Sequence, residues 1–315
     1  ISTGSKTMQR TFTPQQVQSW QEGASGFLRW LEDIQPRVPG PRGTPIVFKV
    51  ETFQEQAIRR MLARKRNGDF KYGTIGMTWP RRHSKTTLAA LLVLWRLTTK
   101  VNENILAMAN SERQASSVGF GVARRIVMQT PALLQQVGRE NIQQYRIAVP
   151  ALGSQLRTVS NNVAGLYGER VTCAWCSEVH AAFSDEALQI LASSLGDSIN
   201  SWLLIDSTTD SIGGILHRLE QLQETGEDTT VFIHRIEYAN LDEALQKSPS
   251  WIRRDWLRSR QKQLLPATFA SQHLNQRLES TSSLFAATDI EICQGRLPHP
   301  MTKADIEAVA ESRSF

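Results

Sequence analysis

Cysteine is scarce in this 315-residue chain, which contains only three. Three cysteines cannot form a disulfide framework, and such low usage is typical of proteins in a reducing compartment. No apolar run reaches the ~18 residues that a membrane-spanning helix needs, so we expect no membrane association. The first ten residues lack the apolar core of a secretory signal, and no internal repeat or low-complexity tract occurs. These absences exclude secreted disulfide scaffolds, membrane proteins and repeat arrays.

Two of the cysteines, Cys173 and Cys176, form a CxxC pair that has a redox or zinc-binding interpretation. They lie in an apolar run with the character of a strand, where residues three apart point to opposite faces. No second CxxC or HxxxH accompanies them, so a structural role in the core is favoured over a metal site.

Basic residues exceed acidic ones, with 36 Lys and Arg against 30 Asp and Glu, a formal net charge of +6. The sequence pI is near 9.4. This balance suits a polyanionic partner without requiring one. The basic residues are scattered along the chain, as on solvated helix faces, so charge alone favours nucleic acid only weakly.

Hydrophobic periodicity predicts helices and strands that alternate through most of the chain. An N-terminal helix over 13–34 is followed by a loop rich in Pro and Gly over 35–45. Further helices are predicted at 53–66, 85–97, 112–128, 185–194 and 214–222. Strands are predicted at 73–79, 104–109, 171–176, 202–205 and 231–236.

Alternation of this kind is typical of an α/β fold with a mostly parallel central sheet flanked by helices. After Tyr238 the pattern becomes purely helical and predicts a small helical subdomain. We therefore expect an N-terminal helix and linker over 1–45, an α/β core over 46–240, a helical lid over 241–285 and a linker over 286–315.

The segment from Gly76 to Thr87, GMTWPRRHSKTT, lies between a predicted strand and a predicted helix, where a phosphate-binding loop belongs. In such a loop, backbone N–H groups surround the phosphates, the lysine neutralises them, and the following hydroxyl ligates Mg²⁺. Lys85 and Thr86 fill the last two roles. The residues of this loop predicted to bind nucleotide are Arg81, Arg82, His83, Ser84, Lys85, Thr86 and Thr87.

The loop departs from the usual GxxxxGK[ST] pattern, because Trp79 and Ser84 stand where glycines are found. Serine replaces glycine only if its φ is not strongly positive. The alternative interpretation is that Lys85 and the two threonines after it merely begin an amphipathic helix.

A hydrolytic P-loop enzyme also needs a carboxylate beyond a strand, to orient the attacking water and to hold Mg²⁺. Two strands offer one. Glu178 follows the strand that begins near Val171, whereas Asp206 ends the hydrophobic run from Trp202. Both are candidate metal ligands together with Thr86.

These segments resemble, in order, the motifs of the large terminase subunit, the viral DNA-packaging motor of tailed bacteriophages, in its N-terminal ATPase domain. Terminase loops often lack the first glycine and carry an arginine four residues before the lysine, the place of Arg81 here. The resemblance implies that Arg81 acts in cis near the γ-phosphate, with Arg82 able to do the same. It also implies that Gln54, after Phe53, reads the adenine edge.

The segment Ser177-Glu178-Val179-His180 is similar to the terminase strand that ends in Asp-Glu-x-His, with Ser177 in place of the aspartate. This resemblance implies that Glu178 is the catalytic carboxylate. The residues Ser207, Thr208 and Thr209 follow the next predicted strand. They resemble the coupling motif that ends the corresponding strand in terminases and helicases. Only this assignment keeps both motifs in family order, and either Asp206 or water is then expected to compensate for the missing aspartate.

A glycine-containing segment, 161–170, leads into the Glu178 strand and is similar to its counterpart across the family. Arg170 at its end is the candidate arginine finger reaching a neighbouring subunit, although a local ion pair is an equally good interpretation. The C-terminal stretches from Ser248 and from Phe269 resemble the terminase lid. The resemblance covers about 45–295, and a nuclease is not expected in this chain.

The resemblance implies a P-loop NTPase of the additional-strand (ASCE) type that uses ATP and Mg²⁺ to translocate double-stranded DNA into a procapsid. The implied partners are the portal protein, the small terminase subunit and further copies of the chain in a ring. The implied location is the cytoplasm of the infected bacterial host. Two alternatives remain: a helicase-like nucleic-acid-dependent ATPase, and a degenerate P-loop protein that binds nucleotide or DNA without hydrolysis.

Overall fold

A computed structural model of the chain describes residues 12–40, 43–109, 119–160, 169–181, 185–196 and 199–278. The described residues up to Arg277 form one compact unit. Its strands are β1 (Arg37–Pro39), β2 (Pro45–Val47), β3 (Thr74–Thr78), β4 (Asn104–Ala109), β5 (Arg146–Val149), β6 (Ser154–Ser160), β7 (Cys173–Ser177), β8 (Trp202–Ser207) and β9 (Val231–Arg235).

The α-helices flank these strands along the chain. They are α1 (Pro14–Ser19), α2 (Gly23–Ile34), α3 (Thr52–Met61), α4 (Lys85–Thr99), α5 (Gly119–Gln129), α6 (Pro131–Val137), α7 (Asp185–Ser194), α8 (Ile215–Thr225), α9 (Leu241–Lys247), α10 (Arg254–Gln263) and α11 (Pro266–Phe269). A π-helical turn, Ala270–Leu274, follows α11. No helix in the described part of the chain is long and apolar enough to cross a membrane.

Seven strands form one sheet in the order β5-β6-β4-β7-β8-β3-β9, and only β5 is antiparallel to its neighbour. β1 and β2 form a separate antiparallel pair. The predicted α/β fold with a mostly parallel sheet is therefore confirmed. β8 lies between β3 and β7, and this inserted strand defines the additional-strand type of P-loop fold.

Helices cover the sheet on both faces because central parallel strands are apolar throughout and must be buried on both sides. All six residues of β8 are buried. Helix α4 packs into the core on one face, and nearly its whole length is buried, from Leu88 onward. On the other face a second core includes residues of α7 and α8.

The CxxC pair spans the sheet, because Cys173 belongs to the first core and Cys176 to the second. The prediction that the two point to opposite faces is confirmed. Both thiols are free and buried, and burial raises the pKa of Cys173 to about 12 and that of Cys176 further above its ordinary value. The two sulfur atoms are not placed to bind one metal ion.

The lid is the all-helical part of the unit, built from α9, α10, α11 and the π turn. It has its own small core of Tyr238, Ala244, Leu257, Phe269 and Leu274. The backbone N–H of Tyr238 donates to the Leu274 carbonyl, which fastens the end of the lid to the segment after β9.

Several sequence predictions need correction. The helix predicted over 13–34 is wrong as a single helix: it breaks between Trp20 and Gly23, and Gly23 has a φ of +62°. The helix predicted over 53–66 ends at Met61. The segments 112–118, 161–168 and 286–315 lie outside the described residues.

Candidate functional site

The functional residues converge at one edge of the sheet because β3, β7 and β8 are parallel and their carboxyl ends lie together. The register pairs Thr78 with Ser207 and Ser177 with Asp206. The loop after β3 leads directly into α4, as the sequence predicts. A cavity of about 440 Å³ opens here, lined by Arg81, Arg82, Ser84, Lys85, Thr86, Thr87, Glu178, Trp256, Arg260, Leu264, Gln272 and His273.

Three non-glycine residues at this cavity have left-handed backbone conformations. Their φ angles are +69° for Arg82, +58° for Ser84 and +54° for Glu178. Such conformations cost about 1–2 kcal/mol each and tend to gather at functional sites. Ser84 therefore adopts the conformation that favours the glycine of the usual loop, so the condition under which serine replaces glycine without strain is not met.

Lys85 is the first residue of α4, and only 5% of its surface is exposed. Its Nζ lies 3.7 Å from Glu178 Oε1. A buried ammonium without an anion is costly, so this carboxylate stabilises the lysine. The structure thus brings together the predicted phosphate lysine and the predicted catalytic glutamate.

Glu178 follows β7, and its backbone N–H donates to the Asp206 carbonyl at 2.8 Å. Its Oε2 lies 3.2 Å from Nδ1 of His180. Burial works to raise the pKa of Glu178, but the hydrogen bond with His180 and the charge of Lys85 outweigh it. The pKa of Glu178 is therefore lowered and the side chain is ionised near neutral pH.

Asp206 is completely buried beside Thr86 and accepts three hydrogen bonds. The donors are Trp175 Nε1 at 2.7 Å, Ser177 Oγ at 2.6 Å and Thr86 Oγ1 at 2.5 Å. Burial and the nearby charge of Glu178 raise its pKa to about 6, against the opposing effect of these bonds. The carboxylate that Ser177 lacks is thus supplied from the adjacent strand.

His180 connects Glu178 to the predicted coupling motif. Its Nδ1 lies 3.0 Å from Ser207 Oγ and 3.2 Å from Thr208 Oγ1, in addition to its contact with Glu178. Its backbone N–H also donates to Ser207 Oγ at 3.2 Å. A change at the carboxylate can therefore reach the end of β8 through one imidazole ring.

Thr209, the last residue of the motif, is held by Asn275. The Thr209 N–H donates to Asn275 Oδ1 at 2.8 Å, and Asn275 Nδ2 donates to the carbonyls of Thr78 at 2.9 Å and Ile236 at 2.8 Å. One buried amide thus joins the ends of β3, β8 and β9. These contacts of Asn275 could not be predicted from local sequence, because they exist only once the chain has folded.

The two loop arginines contact the lid. Arg81 donates its backbone N–H to the Gln272 carbonyl at 2.7 Å and its Nη1 to Gln272 Oε1 at 3.1 Å. The guanidinium of Arg82 lies 5.2 Å from the centre of the Trp256 ring. Five lid residues that line the cavity had no predicted site role: Trp256, Arg260, Leu264, Gln272 and His273.

His83 turns its ring away from the cavity. It is 2% exposed, and its Nε2 lies 2.8 Å from the Tyr238 hydroxyl. Burial is the main cause that lowers its pKa to about 4, so the ring is neutral. Its ring packs within the loop, and His83 does not line the cavity.

Gln54, the predicted adenine-reading residue, is completely buried in the first turn of α3. Its Oε1 accepts the Glu51 N–H at 3.0 Å, and its Nε2 has no hydrogen-bond partner among the described residues. Phe53 beside it contacts the rings of Trp79 and Trp251. Gln54 does not line the cavity, and its role in adenine recognition stays a prediction.

Arg170 lies at the opposite edge of the sheet, before β7 begins. It is exposed, and its carbonyl accepts Asn104 Nδ2 at 3.0 Å near the start of β4. The structure does not bring Arg170 to the cavity of its own chain. Its role toward a neighbouring subunit stays a prediction.

The oxygen atoms at this edge fit a magnesium ion. The described residues contain no group of three or more His, Cys, Asp or Glu arranged for a metal. Mg²⁺ does not require one, since it is commonly held by one or two carboxylates, substrate phosphates and water. Thr86, Asp206 and Glu178 supply the hard oxygen donors that it prefers.

The strand order, with β8 between β3 and β7, gives the chain the α/β architecture of additional-strand P-loop NTPases. No family model matches the chain, and no curated protein matches it by sequence. Among solved structures, the large terminase of bacteriophage HK97 is similar with a TM-score of 0.64 and 18% identity, over 80% of this chain and 55% of that chain. The large terminase ATPase domain of Thermus phage P74-26 is similar with a TM-score of 0.52 and 14% identity, over 73% of this chain and 95% of that chain.

The chain has the fold of the ATPase domain of phage large terminases, as the sequence resemblance predicts. It spans about half the length of the HK97 terminase and nearly all of the Thermus phage domain.

Proposed function

We propose that this chain is an ATP hydrolase, the motor domain of a phage large terminase that moves double-stranded DNA into a procapsid. One observation carries the proposal: Lys85, the Thr86–Asp206 pair and Glu178 meet at the carboxyl edge of the sheet. These are the groups that phosphoryl transfer to water requires.

The triphosphate binds where the N–H groups of the loop and the first turn of α4 face the cavity. The positive end of the helix dipole and the Lys85 ammonium favour an anion there. In the structure Lys85 contacts Glu178, and a bound phosphate offers the ammonium a stronger anionic partner. Nucleotide binding thereby frees the carboxylate for catalysis.

Glu178 acts as the general base. Its lowered pKa keeps it ionised, and it orients a water molecule and accepts its proton while the water oxygen attacks the γ-phosphorus. The bond from the γ-phosphorus to the bridging oxygen breaks, and ADP and phosphate leave. Arg81, anchored to Gln272, stabilises the charge that spreads over the transferring group.

Thr86, Asp206 and Glu178 are the residues that would hold Mg²⁺, which supplies charge neutralisation of the phosphates when bound. Asp206 takes the place of the aspartate that the related motif carries at Ser177. His180 and the Ser207–Thr209 motif then transmit the state of Glu178 to the lid through Asn275.

DNA is bound without sequence preference, because a packaging motor acts on every sequence. The net charge of +6 supports contacts to phosphate groups, whose strength falls steeply with salt. The proposed assembly is a ring of identical subunits on a portal, with the small terminase subunit as a further partner, in the host cytoplasm. Arg170 is the proposed arginine finger between neighbours.

Steady-state ATP hydrolysis with and without double-stranded DNA tests the proposal. Wild-type protein should hydrolyse ATP, and Lys85→Ala should abolish turnover because the loop loses its phosphate-neutralising charge. Arg258→Ala, an exposed change on α10, serves as the control and should retain turnover. Near-normal hydrolysis by Lys85→Ala would overturn the P-loop assignment.

Two other outcomes separate the alternatives. Nucleotide binding without hydrolysis would indicate the degenerate P-loop protein. Stimulation by single-stranded nucleic acid alone would indicate the helicase-like ATPase. Stimulation by duplex DNA supports the motor.

For the ring, mixing Arg170→Ala with Glu178→Gln subunits should partly restore hydrolysis, because a mixed interface pairs an intact arginine with an intact carboxylate. No restoration in rings shown to be mixed would overturn the trans role.

A further inference from the structure

Arg260 lies on the lid face of the cavity, on helix α10, across from the phosphate loop. Its Nε is buried and has no hydrogen-bond partner among the described residues. Among the residues that the structure describes, no ion pair includes Arg260. Its guanidinium lies 5.9 Å from the centre of the Trp256 ring.

Two other arginines of the lid have partners of their own, and Arg258 is exposed to solvent. Arg253 pairs with Asp255. Arg254 donates to the carbonyls of Ser248 and Ile252. The contrast singles out Arg260 as a guanidinium that enters a cavity without an anion to satisfy it.

Positive charge surrounds Arg260 at this cavity. Arg81, Arg82 and Lys85 line it from the loop side, and Glu178 is the one carboxylate among its lining residues. Arg82 lies over the Trp256 ring at 5.2 Å, so this ring joins a loop arginine to the lid arginine.

The same positive charges act on the pKa of His273. It lies in the lid beside Arg81, Arg82 and Arg260. Burial, followed by the charges of these arginines, lowers its pKa to about 4. A neutral histidine and four cations around one carboxylate leave an excess of positive charge, which an anionic ligand would balance.

We propose that Arg260 is a ligand of the nucleotide's polyphosphate, supplied by the lid to the site on the phosphate loop. This inference rests on the proposed function, since it assigns a further residue to the same nucleotide site. The planar guanidinium donates two parallel hydrogen bonds to phosphate oxygens, which a lysine ammonium cannot reproduce. Because Arg260 belongs to α10 and Lys85 to α4, one bound polyphosphate bridges the lid and the core.

Binding of MgATP and of inorganic tripolyphosphate, measured by calorimetry on the full chain, tests the proposal. A charge-assisted contact to phosphate corresponds to about a tenfold or greater change in affinity. Arg260→Ala should therefore weaken both ligands by about tenfold and by the same factor. The affinity of Arg260→Lys for both ligands should lie between those of Arg260→Ala and wild type, since lysine keeps the positive charge but cannot donate two parallel hydrogen bonds.

Arg258→Ala is the matched control, because Arg258 lies on the same helix but is exposed and does not line the cavity. It should bind both ligands as the wild type does. Thermal unfolding of each variant shows that the lid remains folded, and Arg260→Lys keeps the test valid if the alanine variant does not fold.

Two results would overturn the role of Arg260. In one, Arg260→Ala binds both ligands as tightly as Arg258→Ala. In the other, Arg260→Ala weakens MgATP and leaves tripolyphosphate unchanged, which would place the contact on the nucleoside. A different result would show that the proposed function itself is wrong: Lys85→Ala and wild type would then bind MgATP equally. Loss of binding in Lys85→Ala with retention in Arg260→Ala would overturn the lid contact alone.

Discussion

Ser177 donates its hydroxyl to Asp206 Oδ1 at 2.6 Å, across the adjacent ends of β7 and β8. The same carboxylate accepts Thr86 Oγ1 at 2.5 Å through Oδ2. A serine thus stands where the related motif has an aspartate, and the neighbouring strand provides the charge. Asp206 is completely buried, whereas Glu178 lines the cavity, and the roles proposed for the two carboxylates differ accordingly.

Glu178→Gln should bind ATP with near-normal affinity and lose hydrolysis by at least about a hundredfold, because the amide keeps the shape and cannot accept a proton. Single-turnover hydrolysis and calorimetric binding measure the two effects separately. Asp255→Asn, an exposed carboxylate on α10, is the control and should keep its turnover. An active Glu178→Gln variant beside an inactive Asp206→Asn variant would show that the roles of the two strands are reversed.

Asp206→Asn should raise the Mg²⁺ concentration needed for half-maximal hydrolysis, since the carboxylate bonded to Thr86 loses its charge. The double variant Ser177→Asp with Asp206→Ser returns the carboxylate to β7 and should recover part of the Mg²⁺ response. Titration of Mg²⁺ in the hydrolysis assay measures both. An unchanged Mg²⁺ dependence in Asp206→Asn would contradict the assignment.

Asn275→Ala should lower the free energy of unfolding by about 3 kcal/mol, because it leaves the Thr209 N–H without its acceptor and removes one donor each from the carbonyls of Thr78 and Ile236. Asn275 also has a φ of +61°, which adds strain to an alanine but not to a glycine. Asn275→Gly should therefore be less destabilised than Asn275→Ala by about 1 kcal/mol. Urea unfolding of both variants measures the difference, and equal losses would rule out the backbone contribution.

Ser84→Gly should raise the free energy of unfolding by up to about 1 kcal/mol, because glycine adopts the left-handed conformation without steric cost. Nucleotide binding should persist, since glycine restores the usual loop pattern. Ser193→Gly, at an exposed position within α7, is the control and should lower stability by about 0.5 kcal/mol. A loss of stability in Ser84→Gly would mean that the serine side chain contributes more than the strain costs.

Stability should fall as the pH drops below 6.5, in part through His83. Its folded pKa of about 4 lies below the ordinary value, so between these values the unfolded chain binds a proton that the folded protein does not. The His83 contribution to this loss, from pH 7.5 to pH 5.5, is about 1 kcal/mol. His234 and His273 have pKa values lowered in the same direction by burial.

Urea unfolding of wild type and His83→Gln at both pH values isolates the contribution of His83. Asp206, with its raised pKa, contributes a gain of stability on acidification, but this gain is present in both proteins and cancels in the comparison. The variant should lose less stability on acidification than the wild type. Identical losses would show that His83 does not control this pH range.

Local sequence patterns were sufficient to predict several elements of the fold. Residues 104–109 and 185–194 form the predicted strand and helix with the predicted bounds. The alternation of strand and helix also predicted a mostly parallel sheet, and with it the edge of the sheet at which the phosphate loop lies. β5 and β6 were missed because they alternate polar and apolar residues, which resembles a surface loop in sequence; β5 is the edge strand and β6 is its neighbour.

Tertiary structure alone decided how the candidate site is composed. Asp206 and Ser177 are 29 residues apart, and their contact depends on the register of β7 against β8. Arg260 and Asn275 come from the lid and have no distinctive neighbours in sequence. Local propensity acts over a few residues, whereas side chains meet across a site only after long segments pack. For that reason the contacts between the residues of this edge could be described only from the folded chain.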